Sequence, residues 1–245
     1  MKLIIGNWKM NPGTLDEAVE LARQSDFQGL VICPPYVYLE PISKVVLKAK
    51  LGAQDVFFEN PAGPYTGEVS ISELKDLGIS YVIVGHSERR ELGETDEIIA
   101  KKIKAALEEN ITPVLCVGEK KEDRNAGREK EVVKKQLEID LFFADKINNN
   151  QELVVAYEPI WAISKGNTKH QPAGPGDAIE MINFIKETLQ LLSIKRPVKI
   201  IYGGSVNGKN AADFLKHDEI QGALPGGASL KPEEIGKIIE AAGRY

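Results

Sequence analysis

Five places in this 245-residue chain combine chemically capable side chains with turns that would present them. "GNWKMN" carries Asn7 and Lys9 directly after an apolar run. "VGHSE" carries His86, Ser87 and Glu88 after another, and "AYEPIW" carries Glu158 after a third. Two more runs are followed by glycine-rich turns, "YGGSV" at 202–206 and "GALPGGASL" at 222–230. The side chains amount to a carboxylate, an imidazole, an ammonium and an amide. These are the residue types of general acid–base chemistry and of anion binding. Backbone N–H groups in glycine turns and at the start of a short helix point outward unsatisfied, and they bind phosphate well.

Each feature alone has an ordinary explanation. Lys9 could be an exposed loop lysine, His86 a capping or packing histidine, and Glu158 before Pro159 a helix-start acid. "GGS" and "GGAS" are common turns. Convergence at one end of a sheet is what would make them a site, so the elements that carry them decide the matter.

Short β-branched runs recur at Leu3–Gly6, Leu30–Cys33, Leu51–Gln54, Tyr81–Gly85, Pro113–Val117, Leu153–Tyr157, Val198–Tyr202 and Ile220–Leu224. Several are apolar at nearly every position, as strands buried on both faces of a parallel sheet should be. Amphipathic helical stretches lie between them, among them "LDEAVELARQ", "DEIIAKKIKAALEEN", "EKEVVKKQLEIDLFFADKI" and "KPEEIGKIIEAAG". Alternation of eight strands with helices over this length predicts an α/β protein, a single-domain (β/α)8 barrel over residues 1–245, with a doubly wound open sheet as the alternative. In such a barrel the catalytic groups collect at the C-terminal ends of the strands, and phosphate sites often follow strands 7 and 8. All of the features above fall at those ends.

The 31 basic and 36 acidic residues leave a net charge of −5, which gives no sign of a nucleic-acid partner. An anionic small substrate then needs a local positive site. Cys33 and Cys116 sit in apolar runs and read as reduced core residues. No run approaches a membrane span and the N-terminal apolar stretch is too short for a signal peptide, so the expectation is a soluble, cytoplasmic protein. His170 and His217 read as surface residues, and with no cysteine or histidine cluster no metal site is expected. The charge run "GEKKEDRNAGREKE" reads as a solvated loop and helix face.

"GNWKMN", "YVIVGHSERR", "AYEPIWAI", "YGGSV" and "GGASL", in this order, closely resemble the signature segments of the triosephosphate isomerase family, and "VLCVGE" and "YTGEVS" fit it too. The resemblance runs from Met1 to the closing helix. It implies interconversion of dihydroxyacetone phosphate and D-glyceraldehyde 3-phosphate without a cofactor. By similarity Glu158 is the base, His86 the electrophile that polarises the carbonyl, Lys9 the cation that holds the anion and stabilises the enediolate, and Asn7 the amide that orients Lys9. Ser87 and Glu88 resemble supporting residues. Ser164, Ser205, Gly226 and Gly227 match phosphate-binding positions. Pro159, Ile160, Trp161, Ala162, Ile163, Ser164, Lys165, Gly166, Asn167, Thr168 and Lys169 match a lid. Trp8 and Met10 are expected to pack beneath the site as core. A homodimer through the loop around Tyr65 and Thr66 is implied as well.

The chain departs from the family pattern in four places. Its lid reads "AISKGNTKH", followed by a longer "QPAGPG", which puts Ser164 where a glycine is usual and Lys165 at the tip. "ERRELGETDE" is about one residue short. Residues Asp55–Pro64 differ, and Pro225 replaces an aliphatic residue. The presence of Lys9, His86 and Glu158 argues against a catalytically silent binding homologue. "GNWK" together with "YEPIW" argues against another cofactor-free phosphosugar isomerase.

Overall fold

The structure, a computed structural model, describes residues 2–60, 63–147, 150–162 and 173–245. Its eight strands are β1 (Leu3–Asn7), β2 (Leu30–Cys33), β3 (Lys50–Ala53), β4 (Tyr81–Val84), β5 (Thr112–Val117), β6 (Leu153–Tyr157), β7 (Val198–Tyr202) and β8 (Gly222–Ala223). Each pairs in parallel with the next, and β8 returns to β1 through Leu3↔Gly222 and Ile4↔Ala223, so the sheet is a closed barrel. Closure excludes the open doubly wound sheet.

Strand periodicity sorts the apolar residues into two cores. Ile5, Val31, Cys33, Ile83, Val114, Cys116, Val154, Ala156 and Ile201 fill the barrel interior. Their neighbours Ile4, Ile32, Val82, Leu115, Val155 and Ile200 face the surrounding helices. Both faces are therefore largely dry, which explains why several of the strands read as unbroken apolar runs.

The helical layer is α1 (Leu15–Gln24), α2 (Tyr36–Ser43), α3 (Ile71–Asp76), α4 (Ser87–Glu91), α5 (Asp96–Glu108), α6 (Lys121–Asn125), α7 (Glu129–Asp140), α8 (Pro175–Leu191), α9 (Ala211–Leu215) and α10 (Pro232–Gly243). Local chemistry starts several of them. The Thr14 and Thr95 hydroxyls accept the Glu17 and Ile98 amides, and Ser70 with Glu73 forms a capping box. No helix among the described residues is long and apolar enough to cross a membrane.

Three sequence expectations need correction. The third strand lies one residue earlier than predicted, because Gln54 turns to donate to the Lys9 and Cys33 carbonyls at 2.8 and 2.9 Å. The eighth is far shorter than 220–224. Gly222 is pressed against Leu3, whose carbonyl oxygen would lie 2.0 Å from an added Cβ, and Pro225 beyond it has no N–H to donate. The long helical stretch from Glu129 ends at Asp140, which is fully buried on Arg90 at 2.7 Å, and the chain resumes as a 3₁₀ turn at Ala144–Lys146.

Candidate active site

Asn7, Lys9, His86, Glu158, Ser205, Gly226 and Gly227 line one cavity of about 810 Å³ at the C-terminal ends of the strands. The topology thus brings together residues from five strand ends. Ser87 and Glu88 begin α4 beside them.

Glu158 is 2% exposed, with its carboxylate held from two sides. One oxygen lies 3.1 Å from His86 Nε2, and the other accepts the Ser87 N–H at 3.1 Å. Burial alone would raise its pKa; the imidazole, the Ser87 amide and Lys9 outweigh burial and hold it below the usual carboxylate value. His86 Nδ1 accepts the Glu88 N–H at 3.2 Å, which leaves the ring proton on Nε2, facing Glu158. Burial disfavours a charged imidazole, but the Glu158 carboxylate prevails and the His86 pKa lies above its ordinary value. The Glu88 amide works against a second ring proton, since Nδ1 cannot bind one and also accept a hydrogen bond.

Two glycines let the rest of the chain approach Glu158. A Cβ on Gly203 would sit 2.7 Å from Glu158 Cγ, and one on Gly118 would sit 1.8 Å from the Glu158 carbonyl oxygen. Neither position has room for a side chain.

Lys9 adopts φ 54°, a left-handed conformation unusual for a non-glycine residue. Three contacts hold it there. Its N–H donates to Asn7 Oδ1 at 3.0 Å, its carbonyl accepts from Gln54, and its ammonium pairs with Glu88 Oε1 at 2.7 Å. Trp8 is buried as expected, but Met10 is 92% exposed, which corrects the reading of both as core. The left-handed turn at Lys9 ends the alternation that would have carried Met10 inward.

The glycine turns face the same cavity. Gly226 precedes a 3₁₀ turn at Gly227–Leu230, and among the described residues the Gly226 and Gly227 amides donate to no other group. Buried Ser229 lies 3.2 Å from the Asn7 carbonyl and 2.6 Å from that of Gly226, so it ties the first strand end to the last. Pro225 costs this cradle no donor; it accepts the Asn7 N–H at 3.0 Å. The Ser205 hydroxyl donates to the Ala162 carbonyl at 3.1 Å. Of the expected lid, Pro159 is buried and Ile160–Ala162 forms a 3₁₀ turn; Ile163, Ser164, Lys165, Gly166, Asn167, Thr168 and Lys169 lie outside the described residues, as does His170. His217 is half-buried rather than fully on the surface, and its carbonyl accepts from Lys2.

Residues 2–242 match the family model described as triosephosphate isomerase. The chain is 44% identical to the triosephosphate isomerase of Aquifex aeolicus (strain VF5), across 97% of this chain and 98% of that one. It is 42% identical to that of Dictyoglomus thermophilum, across 98% and 99%, and 41% identical to that of Alkaliphilus oremlandii, across 97% and 98%. The chain belongs to the triosephosphate isomerase family.

In this member of the triosephosphate isomerase family, sequence reasoning missed the supports around Glu158. Glu119, read as part of a solvated charge run, is fully buried. Its carboxylate accepts from Trp161 Nε1 at 2.7 Å and from the Tyr157 hydroxyl at 3.1 Å, and burial raises its pKa against those bonds. Arg124 lies over the Trp161 ring at 4.5 Å and pairs with Asp177 at 2.6 Å, linking the 3₁₀ turn at Ile160–Ala162 to the first turn of α8. The usable signal was position: Glu119 directly follows "VLCVG", at a strand end like the other site residues. Cys33 and Cys116 are free and buried, as expected.

Proposed function

We propose that this chain is an active triosephosphate isomerase in which Glu158 and His86 move the protons, Lys9 and Asn7 hold the substrate, and the glycine turns bind its phosphate. The observation that carries this reading is the buried pairing of Glu158 with His86 Nε2 at 3.1 Å in a cavity that also receives the unpaired Gly226 and Gly227 amides. Glu158 removes a proton from the carbon next to the carbonyl, and the electrons pass to the carbonyl oxygen as an enediolate. The His86 Nε2–H stabilises that oxygen and relays protons between the two oxygens, and the protonated Glu158 returns its proton to the neighbouring carbon. Once Glu158 has taken a proton, its pull on the imidazole is gone, so His86 works as the neutral ring that its Nδ1 contact favours. The Lys9 ammonium offsets charge developing on the oxygen. Ser87 and Glu88 support the carboxylate and the cation. Ser205 and Ser164 belong to the phosphate cradle, and residues 159–169 to a lid that excludes water from the enediolate.

A coupled assay with D-glyceraldehyde 3-phosphate and dihydroxyacetone phosphate tests the reading. Turnover in both directions without added metal or cofactor is expected. Binding of a phosphate-bearing inhibitor with no turnover would instead favour a silent homologue.

We further propose a cytoplasmic homodimer in which the loop bearing Tyr65 and Thr66 docks near Asn7 and Lys9 of the second copy. Met10 and Val37 are 92% and 76% exposed, and Tyr65, in ring contact with Phe57, is 42% exposed. Met10 and Val37 follow the ends of β1 and β2, where exposed apolar surface calls for a partner. Sedimentation at micromolar concentration is expected to show a two-chain species. A monomer with full activity would overturn the proposal.

A further inference from the structure

We propose that Gln136 is a positioning residue for Glu158. Gln136 lies on α7 and does not line the cavity. Its amide makes a two-way clamp on one residue. Oε1 accepts the Gly118 N–H at 2.9 Å, while Nε2 donates to the Gly118 carbonyl at 3.2 Å. Gly118 is buried just beyond the end of β5, where it has left the regular ladder, and both of its backbone groups need partners. A single side chain satisfies both.

The clamped residue is the one that Glu158 rests on, since the Glu158 carbonyl lies so close that a Cβ on Gly118 would be 1.8 Å from it. On either side of that contact the two segments are stitched together. The Glu158 N–H donates to the Val117 carbonyl at 2.8 Å and the Ile160 N–H to the Glu119 carbonyl at 3.1 Å. Rotation of the Val117–Gly118 peptide group, whose N–H Gln136 holds, therefore moves the Val117 carbonyl that accepts the Glu158 N–H. Gly203, from the neighbouring strand on the other side, has room for nothing larger against Glu158 Cγ, so Glu158 is held between the ends of β5 and β7. A generic packing role would need only a side chain of the right volume. The paired donor and acceptor fix the orientation of the Gly118 peptide groups.

The inference rests on Glu158 acting as the base, and kinetics of Gln136→Leu and Gln136→Glu test it. Gln136→Leu is expected to lower kcat roughly tenfold with KM changed less than about twofold, a smaller loss than the ~100-fold that a 1 Å misplacement can cause. Gln136→Glu keeps the shape and the acceptor but turns a second oxygen toward the Gly118 carbonyl. Protonation restores the donor, so its kcat relative to the parent is expected to rise between about pH 8 and about pH 5. If Gln136→Leu fails to fold, this pH-dependent ratio still decides. A kcat within about twofold of the parent in Gln136→Leu, whatever happens to Tm, would overturn the inference, as would a Gln136→Glu deficit that ignores pH. An active Glu158→Gln enzyme would remove the premise instead, which keeps the two failures distinguishable.

Discussion

Replacing Glu158 with glutamine is expected to lower kcat by about 10²–10⁴, the range typical when a general base is lost. Glutamine has almost the same shape, so the change isolates basicity. It cannot satisfy both neighbours, because the Ser87 N–H and the His86 Nε2–H are both donors and glutamine has one acceptor to offer. The imidazole cannot change tautomer without losing the Glu88 N–H on Nδ1. Leaving one buried donor unpaired costs about 1–3 kcal/mol, so Tm should fall as well. Glu158→Asp separates the effects, since it keeps a carboxylate and withdraws it from its position. The measurements are kcat, KM and the Kd of a phosphate-bearing inhibitor, with inhibitor binding changed far less than kcat. A glutamine variant with more than about a tenth of parental activity would remove Glu158 from the role of base. The pH dependence has a definite sign. The Glu158 pKa is held below 4.5, so the free protein keeps its carboxylate ionised above that pH. Its contribution to stability is present above 4.5 and is lost as pH falls through the folded value. An acid limb near pH 6 in kcat/KM would belong to the second ionisation of a phosphate group, ~6, and should persist in Glu158→Asp.

Replacing Lys9 with methionine is expected to lower kcat/KM by about 10²–10³, as removal of one preorganised electrostatic group does elsewhere. The loss should appear in both parameters, because a cation that meets an anionic substrate and a developing oxyanion serves ground state and transition state alike. Stability should barely change. The Lys9–Glu88 pair is partly exposed, at 29% and 48%, and pairs of that kind contribute about 0–1 kcal/mol. Methionine also inherits the left-handed backbone at φ 54°, so that strain is common to both proteins. Lys9→Arg is the sharper comparison: its planar fork cannot reproduce a point charge on this turn, and most of the loss should remain. Unchanged KM for the triose phosphates in Lys9→Met would show that the anion is held by the glycine turns alone. A protein with net charge −5 would then bind its substrate without this local cation.

Much of this molecule could be read along the chain. Strands buried on both faces have to be apolar throughout, so β2, β4 and β6 stood out as short runs. The helix α1 announced itself as the amphipathic stretch "LDEAVELARQ". Residues that follow such runs must emerge at one end of a parallel barrel, which is what set Asn7, Lys9, His86 and Glu158 on a common face. What the chain could not disclose were contacts made across it. Glu119 looks solvated beside "KKEDR", yet it is buried because Tyr157 and Trp161, from the next strand end, close over it. Gln136 reads as one more polar position on an amphipathic helix until α7 packs beneath Gly118. Met10 has the alternation of a core residue, and the left-handed turn at Lys9 turns it outward. Sequence patterning reports the average environment of a face, which burial of apolar area determines. Hydrogen-bond partners depend on which residues a particular register brings to within about 3 Å, and only the closed barrel settled that.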